Sequence, residues 1–261
     1  CGKTCLFNTI CGHVADHGDG GVVLRGNLLM DGVVYDPLKT RNQFAYVEQS
    51  DDLTPTETVA DCLRVSARLH NLDMIEERVQ HILENLDLVK AKDSMVGGPL
   101  LKGISGGQKR RVCAGLELIR NPSVLFADEI TSGLDSVAAL SVISSLKRII
   151  SRTDCIIACT IHQPSAEVFG LFDDVIFMNA GRIVYGGPIK KLPMHLKLLG
   201  HPPLRGQNIT DHVLKLLSDD PDRAERFADV FEIHGNLTSE SNAATDPSPT
   251  QDPDGTSHPL A

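Results

Sequence analysis

One stretch constrains this chain more than any other: Val124-Leu125-Phe126-Ala127, followed at once by Asp128 and Glu129. Four apolar residues in a row suit a strand buried on both faces, as in a parallel sheet covered by helices. Two adjacent carboxylates at its end need a cation or a proton, because an unpaired charge in low dielectric is costly. In α/β folds, ligands bind at the carboxyl ends of the parallel strands. The stretch therefore reads as a central strand that delivers two acids to a binding edge. A structural ion pair would also satisfy two isolated acids, so the rest of the chain has to decide.

Three other stretches bear on that choice. At the start, Gly2-Lys3-Thr4 matches the last three positions of the phosphate-binding pattern G-x-x-x-x-G-K-[ST]. There, backbone N–H groups at a helix N-terminus cradle phosphates, the Lys reaches the terminal phosphates and the hydroxyl binds Mg²⁺. Upstream of the acids, Ser105-Gly106-Gly107-Gln108 opens a helix, so that free N–H groups and the positive helix end make an anion site. The alternative is a plain capped helix, although Lys109, Arg110 and Arg111 soon after the cap oppose the dipole. Downstream, Cys155 to Ile161 is an almost wholly apolar run that reads as a fully buried parallel strand, with His162 at its end. After a G-K-T, Mg²⁺ is the better partner for the acids: Asp128 would hold it, and Glu129 would act as general base.

These pieces, in this order, resemble the ATP-binding cassette of ABC transporters. Ile104 to Gln108 is similar to the family's signature L-S-G-G-Q, and Val124 to Glu129 to its Walker B strand. Tyr46 to Pro55 looks like the Q-loop and Ser132 to Ser136 the D-loop, while His162 stands at the H-loop position. The resemblance runs from residue 1 to about 235. It implies a P-loop NTPase α/β fold, a mixed and mostly parallel sheet with a helical subdomain over about 51–120. It also implies ATP and Mg²⁺ as cofactors, with Gly2, Lys3, Thr4 and Cys5 on the nucleotide phosphates. Thr4, Gln49 and Asp128 would serve the metal, and Glu129, His162 and Gln49 the hydrolysis. Ser105, Gly106, Gly107 and Gln108 would face the ATP of a second cassette, and Asp135 would cross to that partner. This sequence departs from the family at Cys5 (usually Ser or Thr), Ile130 (usually Pro), Ala127 (usually Leu) and Ile104 (Leu or Val). None but Cys5 touches a reacting group.

Thr160-Ile161-His162-Gln163-Pro164-Ser165 resembles the G subfamily, the white-pigment and pleiotropic-drug-resistance type. Asn208 to Leu217 is similar to that subfamily's N-P-A-D-F helix without its Pro. The resemblance then implies a homo- or heterodimer of cassettes coupled to a transmembrane domain of the same parent chain. Such a cassette lies on the cytosolic face of a membrane and drives export. A soluble, non-transport ABC ATPase is the first alternative; a truncated, non-catalytic cassette is the second.

Composition narrows the classes further. A net charge of −9 with no long basic run argues against a nucleic-acid partner. Seven scattered Cys without framework spacing suit a reducing, cytosolic setting. The sequons at Asn208 and Asn236 then read as chance matches. No run approaches the roughly 18 apolar residues of a membrane span. Residue 1 falls inside a motif and no Met precedes it, so the chain reads as a piece of a longer one, truncated within its phosphate loop and impaired in ATP binding by itself. From Asn236 to Ala261 the sequence is rich in Ser, Thr, Asn, Asp and Pro and reads as a disordered linker.

Smaller elements are legible too. Gly18 to Gly21 reads as a turn, and Val22 to Val34 as broken strand material. Thr58-x-x-Asp61 reads as a capping-box-like start of a helix to about Leu69. Met74, Ile75, Val79, Ile82, Leu83 and Leu86 fall at helical spacing. In the helix after Asp135, Ala139, Val142, Ile143, Leu146 and Ile150 share a face. Asp174 to Tyr185 reads as a hairpin with a two-residue turn at Ala180-Gly181. Ile189 to Leu199 reads as a helix interrupted at Pro193, and a charged helix over about 222–233 closes the fold.

Overall fold

Side chains alternate between the two faces of a strand, and the alternation here sorts three strands between two cores. A computed structural model describes residues 2–13, 25–37, 39–204, 206–220 and 222–232. The chain opens with α1 (Lys3–Ile10), then β1 (Leu29–Met30) and β2 (Val33–Val34), a short antiparallel pair. β3 (Phe44–Val47), β4 (Val124–Ala127) and β5 (Ile156–Cys159) form one parallel sheet in the order β3-β4-β5. Between β3 and β4 come α2 (Val59–Leu69), α3 (Ile75–Asn85) and α4 (Gly106–Leu118), and α5 (Ser136–Ile150) joins β4 to β5.

Ala45, Val47, Leu125 and Ala127 point into a core shared with α2, α3, α4 and α5. Phe44 and Phe126 point the other way, against Phe7 and Cys11 of the α1 segment. Phe7 meets Phe126 edge-on with ring centroids 4.9 Å apart, and Phe44 meets Phe126 at 6.0 Å, a geometry aromatic quadrupoles favour. The sheet is thus covered on both faces, as the apolar run of β4 requires.

Helix spacing explains the larger core. α2 buries Val59, Ala60, Cys62, Leu63 and Ala67; α3 buries Val79, Ile82 and Leu83, with Leu86 buried at its cap. Gly115 of α4 lets these helices approach: a Cβ there would lie 3.0 Å from Ile82, and 3.1 Å from Leu63 and Leu86. Met74, read as part of the α3 stripe, instead caps that helix in the left-handed region and is exposed. At Thr58 the hydroxyl accepts from the Asp61 N–H and donates to the Asp61 carboxylate, so the two side chains bond each other rather than forming a reciprocal box. On α5 it is Ile149, more than Ile150, that is buried.

The remainder forms a second core. α6 (Ala166–Phe169) leads to β6 (Asp174–Asn179) and β7 (Arg182–Pro188), the expected hairpin, with positive φ at both Ala180 and Gly181. α7 (Leu192–Leu198), α8 (Ile209–Asp219) and α9 (222–232) pack on it through Leu192, Leu196, Val213, Leu217 and Phe227. Pro193 does not interrupt this region. It stands in the first turn of α7, where its missing N–H costs nothing.

β5 is the element that departs furthest from expectation. It was expected to be fully buried, yet Ile156 is 65% exposed. Among the described residues β5 pairs only with β4, so its far edge lacks a neighbouring strand. The turn over Gly18–Gly21, the strand residues 22–24, Cys1, residue 233 and the linker from Asn236 lie outside the described residues. No helix among the described residues is long and apolar enough to cross a membrane.

Candidate active site

The strand register brings the acids to neighbours that their sequence distance hides. Val47, Ala127 and Cys159 stand side by side at the ends of β3, β4 and β5. One residue beyond Ala127, Asp128 is only 5% exposed and its N–H bonds the Val47 carbonyl at 2.9 Å. The Tyr46 hydroxyl donates to Asp128 Oδ2 at 3.2 Å, and the buried Thr160 hydroxyl donates to Asp128 Oδ1. Both carboxylate oxygens are therefore held, one from each neighbouring strand. Burial, then the Asp128 charge and the hydrogen bond to it, hold the Tyr46 phenol well above its usual range. It stays protonated, as a donor must.

Glu129 turns out of the sheet. Its φ of 49° is left-handed, a costly conformation for a residue with a Cβ and one that clusters at functional sites. The same Thr160 oxygen that serves Asp128 accepts the Glu129 N–H at 2.8 Å. The Gln49 amide donates to Glu129 Oε2 at 2.7 Å, and His162 Nε2 stands 4.0 Å from Glu129 Oε1. Gln49, Asp128, Glu129 and His162 are thus brought together as expected. Tyr46 and Thr160 were not singled out as site residues. The signal that could have found them is parity: each falls on the same sheet face as Asp128 when counted along its own strand.

The residues expected to form the phosphate loop lie at the start of α1, the helix that covers the Phe44 and Phe126 face of the sheet. Gly2 caps α1 with a left-handed φ of 93° and no side-chain capping bond. Lys3, Thr4 and Cys5 form the first turn of that helix, and Cys5 is exposed. The hairpin turn lies beside them, since a Cβ on Gly2 would stand 3.8 Å from the Gly181 Cα.

The signature residues open α4, and the plain capped helix also forms there. Ser105 Oγ accepts the Gln108 N–H at 3.3 Å, and Gln108 Oε1 accepts the Ser105 N–H at 2.9 Å. This capping box leaves the Gly106 and Gly107 N–H groups outside it. The basic residues that follow the cap are each held by an acceptor from elsewhere in the chain. Lys109 Nζ bonds the Gly97 carbonyl at 2.8 Å. Arg110 reaches Asp51 at 3.1 Å, and Arg111 reaches the Leu86 carbonyl at 3.2 Å. Asp135 serves locally as the N-cap of α5, accepting the Ala138 N–H at 2.9 Å.

A family model described as ABC transporter matches residues 1–132. ABC transporter G family member 20 of Arabidopsis thaliana is 33% identical over 238 residues, covering 89% of this chain and 31% of the relative. Member 13 of the same plant is 36% identical over 229 residues, covering 85% and 32%. ABC transporter G family member STR2 of Medicago truncatula is 33% identical over 222 residues, covering 84% and 30%. The chain spans about a third of the length of these curated relatives. With a P-loop α/β sheet, an acid pair at its edge and these matches, the chain belongs to the ABC transporter family, as an ATP-binding cassette of the G type.

Proposed function

We propose that this chain is the ATP-hydrolysing cassette of a G-type exporter whose transmembrane domain belongs to the same polypeptide. The observation that carries the reading is the sheet-end cluster: Asp128 held by Tyr46 and Thr160, with Glu129 beside it, facing Gln49 and His162. A structural ion pair would put a cation against the acids. Their partners are instead two hydroxyls, an amide and one imidazole at 4.0 Å, an arrangement that leaves charge for a ligand.

The donor set fits Mg-ATP. Among the described residues no cluster of His, Cys, Asp and Glu could hold a metal by itself. That suits Mg²⁺, which is typically held by one or two carboxylates plus substrate phosphates and water. Thr4 and Asp128, with Gln49, would hold it, and the Gly2-capped first turn of α1 with Lys3 would take the phosphates. Bound there, Mg-ATP supplies an electrophilic terminal phosphorus and a cation that offsets its charge.

The protein's own residues do the rest. Glu129 accepts the proton of an attacking water, and its backbone is fixed for that by Thr160. Gln49 and His162 orient the Glu129 carboxylate from opposite sides. Gly106 and Gly107 present N–H groups to the nucleotide of a second cassette, with Ser105 and Gln108 shaping the turn and Asp135 beside the shared interface. The segment over about 51–120 acts as the helical subdomain facing the membrane domain, and the cassette works on the cytosolic face. Residues 236–261 act as the linker, and no nucleic acid is involved.

The test is Glu129→Gln in the full-length protein in membranes. Nucleotide binding should persist while turnover falls by about 100-fold or more. Unchanged turnover in that variant would sink the assignment of Glu129. A full-length protein that fractionates away from membranes would sink the exporter reading.

A further inference from the structure

The segment that carries Gln49 has little of its own to hold it. Residues 48–52 follow β3 and are exposed, and the Ser50 hydroxyl bonds its neighbour Asp52 at 2.7 Å. The buried side chain that grips them comes from α4. Arg110 is 7% exposed, and one guanidinium nitrogen reaches the segment on either side of Gln49: the Glu48 carbonyl at 3.4 Å and Asp51 Oδ1 at 3.1 Å. The Cys113 thiol, one turn further along α4, adds a weak contact to the same Asp51 oxygen at 3.8 Å. Gln49 sits between the two gripped residues, and its amide meets Glu129 at 2.7 Å. A buried guanidinium needs acceptors, and here it finds them on an exposed loop.

We propose that Arg110 is a positioning residue that ties the signature helix to the acid pair of its own chain. α4 begins with the Ser105-Gly106-Gly107 turn, and Arg110 lies little more than one helical turn further on. A rigid helix carries a displacement of that turn to Arg110. Arg110 carries it to residues 48–51, and so to the Gln49–Glu129 hydrogen bond. Engagement of Gly106 and Gly107 by a ligand is therefore felt at the general base of the same chain. The chemistry is positional: no bond is made or broken at Arg110.

The inference rests on the ATP-hydrolysis reading for its kinetic consequence but not for its structural one. The experiment therefore has two arms, both on the full-length protein. Arg110→Met keeps the length and burial of the side chain without its charge. Asp51→Asn is the milder variant, because Asp51 is partly exposed and its loss leaves the helix side intact. In hydrogen exchange without nucleotide, both variants should speed exchange several-fold at 48–52, with 105–108 and 124–128 unchanged. In steady-state kinetics, both should lower kcat by about tenfold, with KM for ATP unchanged, because misplacing a group by about 1 Å costs up to 100-fold. Arg110→Lys, which restores the charge to Asp51, should recover part of kcat.

Unaltered exchange at 48–52 in both variants overturns the proposal. So does faster exchange spread equally over 124–128, which marks a merely structural role. A rise in KM at constant kcat also overturns it. If wild-type protein shows no turnover that Glu129→Gln abolishes, the hydrolysis reading fails, and the exchange arm still decides whether Arg110 positions Gln49.

Discussion

α1 and α4 both begin at glycine-bearing turns that read as anion sites, but the two helix ends are completed differently. At α1 the cap is Gly2 itself, left-handed and without a side chain, and no capping bond forms. At α4 the cap is Ser105, extended, and bonded to Gln108 in both directions. A helix leaves its first N–H groups without intrahelical partners. α4 meets part of that need within four residues through its own side chains, whereas the Gly2 cap of α1 has no side chain to offer. The α4 turn is also braced from outside. Lys109 bonds the Gly97 carbonyl, and the backbone of residues 95–104 crosses itself closely enough that a Cβ on Gly103 would stand 2.2 Å from the Val96 carbonyl oxygen. One end is closed by its own side chains; the other is capped by backbone alone.

The largest effect is expected at the brace. Gly103→Ala drives a methyl into backbone that cannot swing aside, and should lower unfolding free energy in urea by about 3 kcal/mol. If stability is unchanged, the α4 turn is not braced in this way. Next comes Thr160→Val, which leaves the Glu129 N–H and an Asp128 oxygen without their partner, for about 2 kcal/mol. Thr160→Ser should return most of that, and failure to do so would assign the loss to packing instead.

Smaller effects separate the two caps themselves. Gly2→Ala puts a Cβ on a left-handed residue, at about 1–2 kcal/mol, and should also weaken nucleotide binding in a fluorescence titration. Ser105→Ala removes one half of the box and should cost about 1 kcal/mol by chemical denaturation. A Ser105→Ala loss much larger than that of Gly2→Ala would reverse the contrast.

The far end of α1 should show an effect that is silent at neutral pH. Burial pushes the Cys11 thiol up to about 12 from an ordinary value of 9.0. Its folded value is raised, so the stabilisation is fully present below pH 9 and is lost as pH rises towards 12. Alkaline unfolding should therefore begin in that window, and Cys11→Ala should flatten the slope there.

Some of this was legible without coordinates. The apolar run of β4, the hairpin with Ala180-Gly181 at its turn, the start of α4 at Ser105 and the company of Gln49, Asp128, Glu129 and His162 all follow from local pattern or motif order. Other features were not. Tyr46 and Thr160 look like ordinary strand-end residues until the register sets them on either side of Asp128. Arg110 looks like one charge in a basic run. β5 reads as an interior strand because composition reports apolar residues and says nothing of how many neighbours a strand has. Pro193 read as a helix breaker, since its role depends on whether the helix starts before or after it.

The division has a physical basis. What the sequence by itself determined is carried by interactions over a few residues: strand alternation, helix caps, the turn at Gly181 and the adjacency of two carboxylates. These are fixed by backbone sterics and hydrogen bonds between near neighbours. What only the tertiary structure decided spans far more chain. Tyr46 and Asp128 are 82 residues apart, Gln49 and Glu129 are 80 apart, and Arg110 and Glu48 are 62 apart. Such contacts exist only once the sheet has set its register and α4 has packed on β3. The residue types that could bear chemistry were written in the chain; which oxygen meets which donor was left to the fold.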